Sequence, residues 1–222
     1  MSTAWSYSSI KTFDQCPRKY FHLKVLKDIK DYGNEATIYG QEVHKACEDY
    51  VKDDVEIPEK FAYVRGVVEA IKRMDGDKHT ELKLGVKKVE GGYEPCKFLG
   101  EDVWWRGIAD VVVIRGDTGY SLDYKTSKNA RYADTKQLDL VAAGLFVHFP
   151  QLKKVKSGLL FVVSNEFIHK EHFVEQRDDY FDTFKDELDR LDTAEVSGVW
   201  NAKTGPLCKF CPVTRCEHNR KG

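Results

Sequence analysis

The stretch Tyr120-Ser121-Leu122-Asp123-Tyr124-Lys125-Thr126-Ser127-Lys128 constrains this chain more than any other. Leu122 and Tyr124 alternate with Asp123 and Lys125, the period of a strand, so the acid and the amine project to the same side. Upstream, Arg106-Gly107-Ile108-Ala109-Asp110-Val111-Val112-Val113-Ile114 is a β-branched run with one carboxylate in its middle. The link Arg115-Gly116-Asp117-Thr118-Gly119 has hairpin chemistry, glycine for a positive φ and aspartate for local hydrogen bonds. Pairing the two strands brings Asp110, Asp123 and Lys125 into one small volume. The plainer reading of Asp123 and Lys125 is a strand-face salt bridge, worth only ~0–1 kcal/mol when exposed. A carboxylate inside an apolar run is harder to explain that way, because burying it unpaired is costly. Two acids beside a lysine suit a divalent cation next to a group that handles water, the arrangement of phosphodiester chemistry.

The rest of the composition bounds this reading. At 222 residues the chain can form one well-cored domain, or a domain with a small appendage. With 41% hydrophobic and 32% charged residues it is ordinary for a soluble globular protein. No apolar run approaches the ~18 residues of a membrane span. Met1-Ser2-Thr3-Ala4-Trp5-Ser6-Tyr7 lacks the basic-then-apolar build of a secretory signal, so a cytoplasmic address without a membrane partner is expected. The net charge is −1, so contact with nucleic acid requires positive charge concentrated locally. Six cysteines without a signal peptide point to metal or redox use rather than a disulfide framework.

Along the chain, Ser8-Ser9 reads as the cap of a first helix, and Pro17 suits the first turn of a second, leaving Cys16 at their junction. Residues 37–50 form an amphipathic helix with Val43, Cys47 and Tyr50 on its apolar face and His44 and Glu48 four apart. Taken alone, His44 reads as an ordinary helix residue. Gly40 costs that helix roughly 1 kcal/mol unless something must approach it closely. Pro58 to Arg73 is a further helix, closed by Asp75-Gly76. From Glu81 the period shifts to two, and the turn at Val89–Tyr93, Phe98–Gly100 and Val103–Trp105 predict an antiparallel meander into the hairpin. The loop Ser127–Arg131 is polar and basic, with Lys128, Arg131 and the nearby Lys136 suited to a phosphate backbone or, equally, to plain solvation. A helix over 135–147 places Gln137 near its N-terminus, where an anion is favoured. Strands at Ser157–Val163 and Ile168–Val174 and a last helix from Asp178 to Glu195 follow.

The tail carries Cys208-Lys209-Phe210-Cys211-Pro212-Val213-Thr214-Arg215-Cys216, a tight thiolate turn for a soft metal. Three sulfurs leave a tetrahedral site or a cubane one ligand short, and Cys16 is the best candidate for the fourth. An iron–sulfur cluster, a Zn²⁺ site completed by Cys16 or His218, and free thiols all remain open on spacing. Cys47 and Cys96 lack partner spacing and read as structural.

In order, Ser8/Ser9, Cys16-Pro17-Arg18-Lys19-Tyr20, Gly40-x-x-x-His44, Gly107-x-x-Asp110, Asp123-Tyr124-Lys125-Thr126, Gln137-Leu138 and the cysteine triplet resemble the RecB-like PD-(D/E)XK nucleases. The resemblance runs from Ser8 to Cys216 and is nearest the branch with a four-cysteine iron–sulfur staple, related to CRISPR-associated and phage exonucleases. It implies an α/β fold of α+β flavour: a restriction-endonuclease-like core with a mixed central sheet flanked by helices. One nuclease domain over 1–222 is expected, with a helical segment over 1–80, a catalytic sheet over 81–175 and a C-terminal helix and staple over 176–222. By the same resemblance, His44, Asp110, Asp123 and the Tyr124 main-chain carbonyl hold Mg²⁺ or Mn²⁺, Lys125 orients or activates water, and Gln137 positions substrate or water. It further implies a [4Fe-4S] cluster on Cys16, Cys208, Cys211 and Cys216. The substrate implied is DNA, single-stranded or with ends, with a replication, recombination or CRISPR-type protein as a possible partner. Where the family often has tyrosine four residues after the glutamine, this chain has Val141. The other function class on the same fold is a non-catalytic nucleic-acid or partner-binding module with a structural metal.

Overall fold

The computed structural model describes residues 4–131 and 133–219, so the first three residues of the N-terminal stretch lie outside it. The chain forms two compact units, one built from the residues up to Gly33 and from Asp182 onward, the other from Asn34–Phe181.

The second unit holds a six-stranded sheet in the order β2-β1-β3-β4-β5-β6, with β1 at Asp77–Val89, β2 at Gly92–Cys96, β3 at Trp105–Arg115, β4 at Thr118–Lys125, β5 at Lys154–Phe161 and β6 at Glu166–Phe173. Neighbouring pairs are antiparallel except β4 and β5, which are parallel. Parallel neighbours need a crossover, and the apolar helix between them (α5 of this chain, Lys136–His148) provides it. Alternate residues at the end of β5 and just beyond it serve two cores. Leu160 and Val162 join α3 (Glu35–Asp53) and α4 (Arg65–Arg73), while Leu159 and Phe161 join Leu138 of α5. Gly144 lets α5 lie close on the sheet, since a Cβ there would come 2.6 Å from the Trp105 ring.

The other unit is helical: α1 (Tyr7–Gln15), α2 (Pro17–Tyr20) and α7 (Lys185–Ser197). Tyr20 and Phe21 stack on Trp200, and Arg190 reaches Asp14 at 3.1 Å.

Several local expectations need correction. The cap of α1 is Ser6, with Ser9 completing a capping box, one turn earlier than the serine pair suggested. The meander is absent: β2 pairs at the sheet edge, and the chain returns to place β3 on the other side of β1. Phe98–Gly100 and Val103–Trp104 lie in turns around Gly100-Glu101-Asp102, and only Trp105 opens a strand. The helix read over Pro58–Arg73 starts as a 3₁₀ segment with non-helical backbone at Phe61. The last long helix is two, α6 at Arg177–Asp182 and α7, because the chain leaves helical geometry at Phe184.

Candidate active site

The site forms where two ladders lose their regularity side by side. Between β1 and β3 the pairs Thr80↔Val111 and Leu82↔Ala109 are made, but the intervening Glu81 and Asp110 are not paired. Glu81 has φ +47°, a left-handed conformation that non-glycine residues adopt rarely and mostly where function or tight packing holds them. Between β3 and β4 pairing runs only as far as Val111↔Leu122. Beyond it the Asp110 carboxylate replaces a ladder carbonyl, accepting the Tyr124 N–H at 2.8 Å. The splayed strands also leave the Tyr124 carbonyl to accept from His44 Nε2 at 2.7 Å.

His44 projects from α3, with Nδ1 3.2 Å from Asp110 Oδ2. Both ring nitrogens therefore face oxygen, an arrangement suited to the imidazolium. Burial works against that charge, but the bond to Asp110, the Asp110 and Asp123 charges and the Tyr124 carbonyl outweigh it, so the ring pKa is raised. Gly40, one turn earlier, lies against Thr126, where a Cβ would stand 3.2 Å from Oγ1. Close approach is thus the reason for glycine in that helix.

On β4, Asp123 and Lys125 do share a side, with Nζ 2.7 Å from Asp123 Oδ2. Gln137, in the first turn of α5, ties both together: Nε2 donates to Asp123 Oδ1 at 2.9 Å and Oε1 accepts from Lys125 at 3.3 Å. Burial, then the Asp110 charge, push the Asp123 carboxyl up to about 6 despite Lys125 and His44. The Glu81 carboxyl is raised as well, by burial and by Asp110 and Glu48.

Ligand atoms of His44, Glu81 and Asp110 all lie within 4.8 Å of one another, the one such group among the described residues. They open on a cleft of about 570 Å³ that also takes in Lys45, Glu48, Ile108 and Thr126. An imidazole and acid oxygens in one cleft, with two carboxyl pKa values pushed up by mutual repulsion and burial, fit a hard divalent cation.

A family model for the PD-(D/E)XK nuclease superfamily matches residues 4–216, and this decides the identification. The chain belongs to that superfamily. Among curated proteins none matches the sequence. Among solved structures, one named "Putative exonuclease", from Eubacterium rectale, is similar with a TM-score of 0.57 and 14% identity, over 98% of this chain and 88% of that one. The structure of SSO0001 matches with a TM-score of 0.48 and 14% identity, over 99% of this chain and 88% of that one. Likeness at this identity speaks to the fold, and the six-stranded mixed sheet flanked by helices is the one this superfamily leads one to expect.

Members of the PD-(D/E)XK superfamily use divalent metals, and here sequence reasoning missed Glu81. Its signal was present, an acid at the point where the period changes to two, but its placement opposite Asp110 depends on strand order. The basic residues proposed for DNA lie around the mouth of β4. Lys128 and Arg131 are exposed in the following loop, where the Arg131 amide is tied to Asn129, and Lys136 opens α5.

In the helical unit, Cys16, Cys208, Cys211 and Cys216 line one cavity of about 150 Å³. Three of the sulfurs accept hydrogen bonds: Cys16 from the Lys203 amide at 3.4 Å, Cys208 from the Gly205 amide at 3.4 Å and Cys216 from Arg18 at 3.8 Å. No three cysteine sulfurs among the described residues lie within 4.8 Å of one another. No helix of the described residues is long and apolar enough to cross a membrane.

Proposed function

We propose that this protein is a Mg²⁺- or Mn²⁺-dependent deoxyribonuclease of the RecB-like type, an exonuclease acting on single-stranded or end-bearing DNA. One observation carries the reading. Where the β3–β4 ladder stops, a His44–Glu81–Asp110 group stands beside an Asp123–Lys125–Gln137 group, linked through the backbone of Tyr124. The name of the Eubacterium rectale structure adds weight to exonuclease over endonuclease.

The residues that would hold the cation are His44, Glu81 and Asp110, with Asp123 and the Tyr124 carbonyl. When bound, the cation neutralises phosphate charge and makes a bound water more acidic. Lys125 has three N–H donors; Gln137 Oε1 takes one, while Asp123 Oδ2, 2.7 Å from Nζ, pairs with the ammonium by charge and without a hydrogen bond. The other donors are left for the attacking water or a phosphate oxygen, where a fixed positive charge favours the crowded, more negative transition state. Gln137 uses its amide nitrogen and oxygen in opposite roles, which fixes its orientation and so the angle at which Lys125 is presented. Asp110, by accepting the Tyr124 amide, keeps β4 in position after the ladder has ended.

We read the four cysteines as ligands of a [4Fe-4S] cluster. A single zinc with ~2.3 Å bonds sets its sulfurs about 3.8 Å apart, and no three thiols of this cavity stand within even 4.8 Å of one another. The backbone and Arg18 donors on three sulfurs are of the kind that tune such clusters. Six free cysteines accord with the cytoplasm, and a replication, recombination or CRISPR-type protein is the partner class proposed.

The test is cleavage of end-labelled linear single-stranded, linear duplex and circular DNA by anaerobically purified protein with Mg²⁺, Mn²⁺ or EDTA. Metal-dependent shortening of linear strands with circles spared is expected. Cutting of circles would overturn the exonuclease assignment. No cleavage by protein with a full iron complement would leave the non-catalytic binding module.

A further inference from the structure

The cleft is acidic, and its one lysine, Lys45, is already engaged by Asp49 at 2.7 Å and Glu48 at 3.2 Å. Attraction for a polyanion must therefore come from outside it. Along β3 from Asp110, alternate positions hold Ile108, which lines the cleft and is 44% exposed, and then Arg106. Ile108 is paired across the ladder with Lys83, and Arg106 with Gly85. Phe98, from the turn after β2, lies near both cations, its ring centre 5.7 Å from the Arg106 guanidinium carbon and 6.0 Å from Lys83 Nζ. Neither cation has an acidic partner among the described residues, whereas Lys87, one turn of the pleat further, is neutralised by Glu94 at 3.1 Å. Beside Phe98, Leu99 is 79% exposed.

Resting on the nuclease reading above, we infer that Lys83, Phe98, Arg106 and Ile108 form a track that holds the single strand next to the scissile phosphate. A half-buried ring near two cations without acidic partners among the described residues offers apolar surface for a base beside donors for the neighbouring phosphates. From Asp110 to Arg106 is four residues of strand, about 13 Å, so the track meets nucleotides immediately beside the reacting one. Stacking on a ring selects unpaired bases, because in a duplex the base faces are already covered. The track thus assigns the substrate as single-stranded, with a frayed end as its duplex equivalent.

The experiment measures binding of a fluorescein-labelled oligothymidine and of a blunt duplex by anisotropy over a salt series. The parent is the full-length Asp123→Asn protein in Mg²⁺, chosen to keep the DNA intact. Phe98→Ala is expected to weaken single-strand binding on the order of tenfold and to leave duplex binding nearly unchanged. The double variant Lys83→Gln/Arg106→Gln, whose exposed and half-exposed side chains can change without disturbing a core, is expected to flatten the log K against log salt slope by about 1.4. An unchanged slope, an equal loss for duplex and single strand, or a parent that binds no single strand would each overturn the track. Binding behaving as expected in a protein whose wild type cuts nothing would overturn the catalytic reading and leave the track standing.

Discussion

At Asp123 the requirements of chemistry and of folding oppose each other. The proposed hydrolysis needs the carboxylate beside Lys125, yet burial and the Asp110 charge lift its pKa to about 6, above the ~3.9 of an unfolded aspartate. The native state then binds more protons than the unfolded one between these values, so this residue contributes stability below about pH 4 that is lost as the pH rises through about 6. A shift of about two units corresponds to about 3 kcal/mol with the Lys125 attraction already counted, and solvent reaching the 27% exposed side chain screens part of it. Asp123→Asn is therefore expected to abolish hydrolysis while raising the stability of metal-free protein at pH 7 by about 1 kcal/mol, or roughly 2–4 °C in Tm. Thermal unfolding in EDTA at pH 4 and pH 7 checks the sign, since the gain should vanish at the lower pH. A variant less stable than wild type at pH 7 would mean that the Lys125 pair outweighs the repulsion.

The β3–β4 hairpin was legible in the sequence because its determinants are local: period-two alternation, β-branched residues and a Gly-Asp turn. Gln137 was legible for the same reason, as a residue in the first turn of a strongly apolar helix. Glu81 was not, since neither its left-handed backbone nor its neighbour across the ladder follows from nearby residues. The order β2-β1-β3 likewise depends on which edge the chain takes after its turn. What docks α5 was hidden too. Asp139, two residues after Gln137, is buried, and its Oδ1 accepts from His172 at 2.8 Å and Lys170 at 2.6 Å on β6. Burial raises the Asp139 pKa, but the two partners prevail and hold it below the usual carboxylate range. Its contribution is thus present above about pH 4 and is lost as the pH falls through the lower folded value. Asp139→Ala is expected to cost about 3 kcal/mol or more, because the buried His172 loses its acceptor and the more exposed Lys170 its ion-pair partner. Urea unfolding at pH 7 and pH 3 measures it, and the deficit should shrink at pH 3. With α5 loosened, kcat should fall more than KM rises, as Gln137 no longer fixes Lys125 and Asp123.

The helical unit is assembled from both ends of the chain, so anything that joins Cys16 to Cys208 closes a loop of roughly 190 residues. Loop-closure entropy grows only with the logarithm of length, so most of the stabilisation from such a link comes from holding its ends, not from the size of the loop. What those ends otherwise have is modest: the stack of Tyr20 and Phe21 on Trp200, and ion pairs such as Arg190–Asp14 and Arg18–Glu217 that are largely open to solvent. The sheet unit has apolar cores of its own and includes none of the four cysteines. Cys208→Ala should therefore act on one unit. If the proposed cluster is present, its expected consequences are loss of bound iron and of brown colour, and faster amide exchange in α1, α2 and α7. Protection in β3 and β4 should stay near that of the wild type, because their hydrogen bonds open with the sheet. Hydrogen exchange read by mass spectrometry separates the outcomes. Unchanged exchange in the three helices with a full iron complement would remove Cys208 from the ligand set. Equal loosening of helices and sheet would mean that the two units unfold as one.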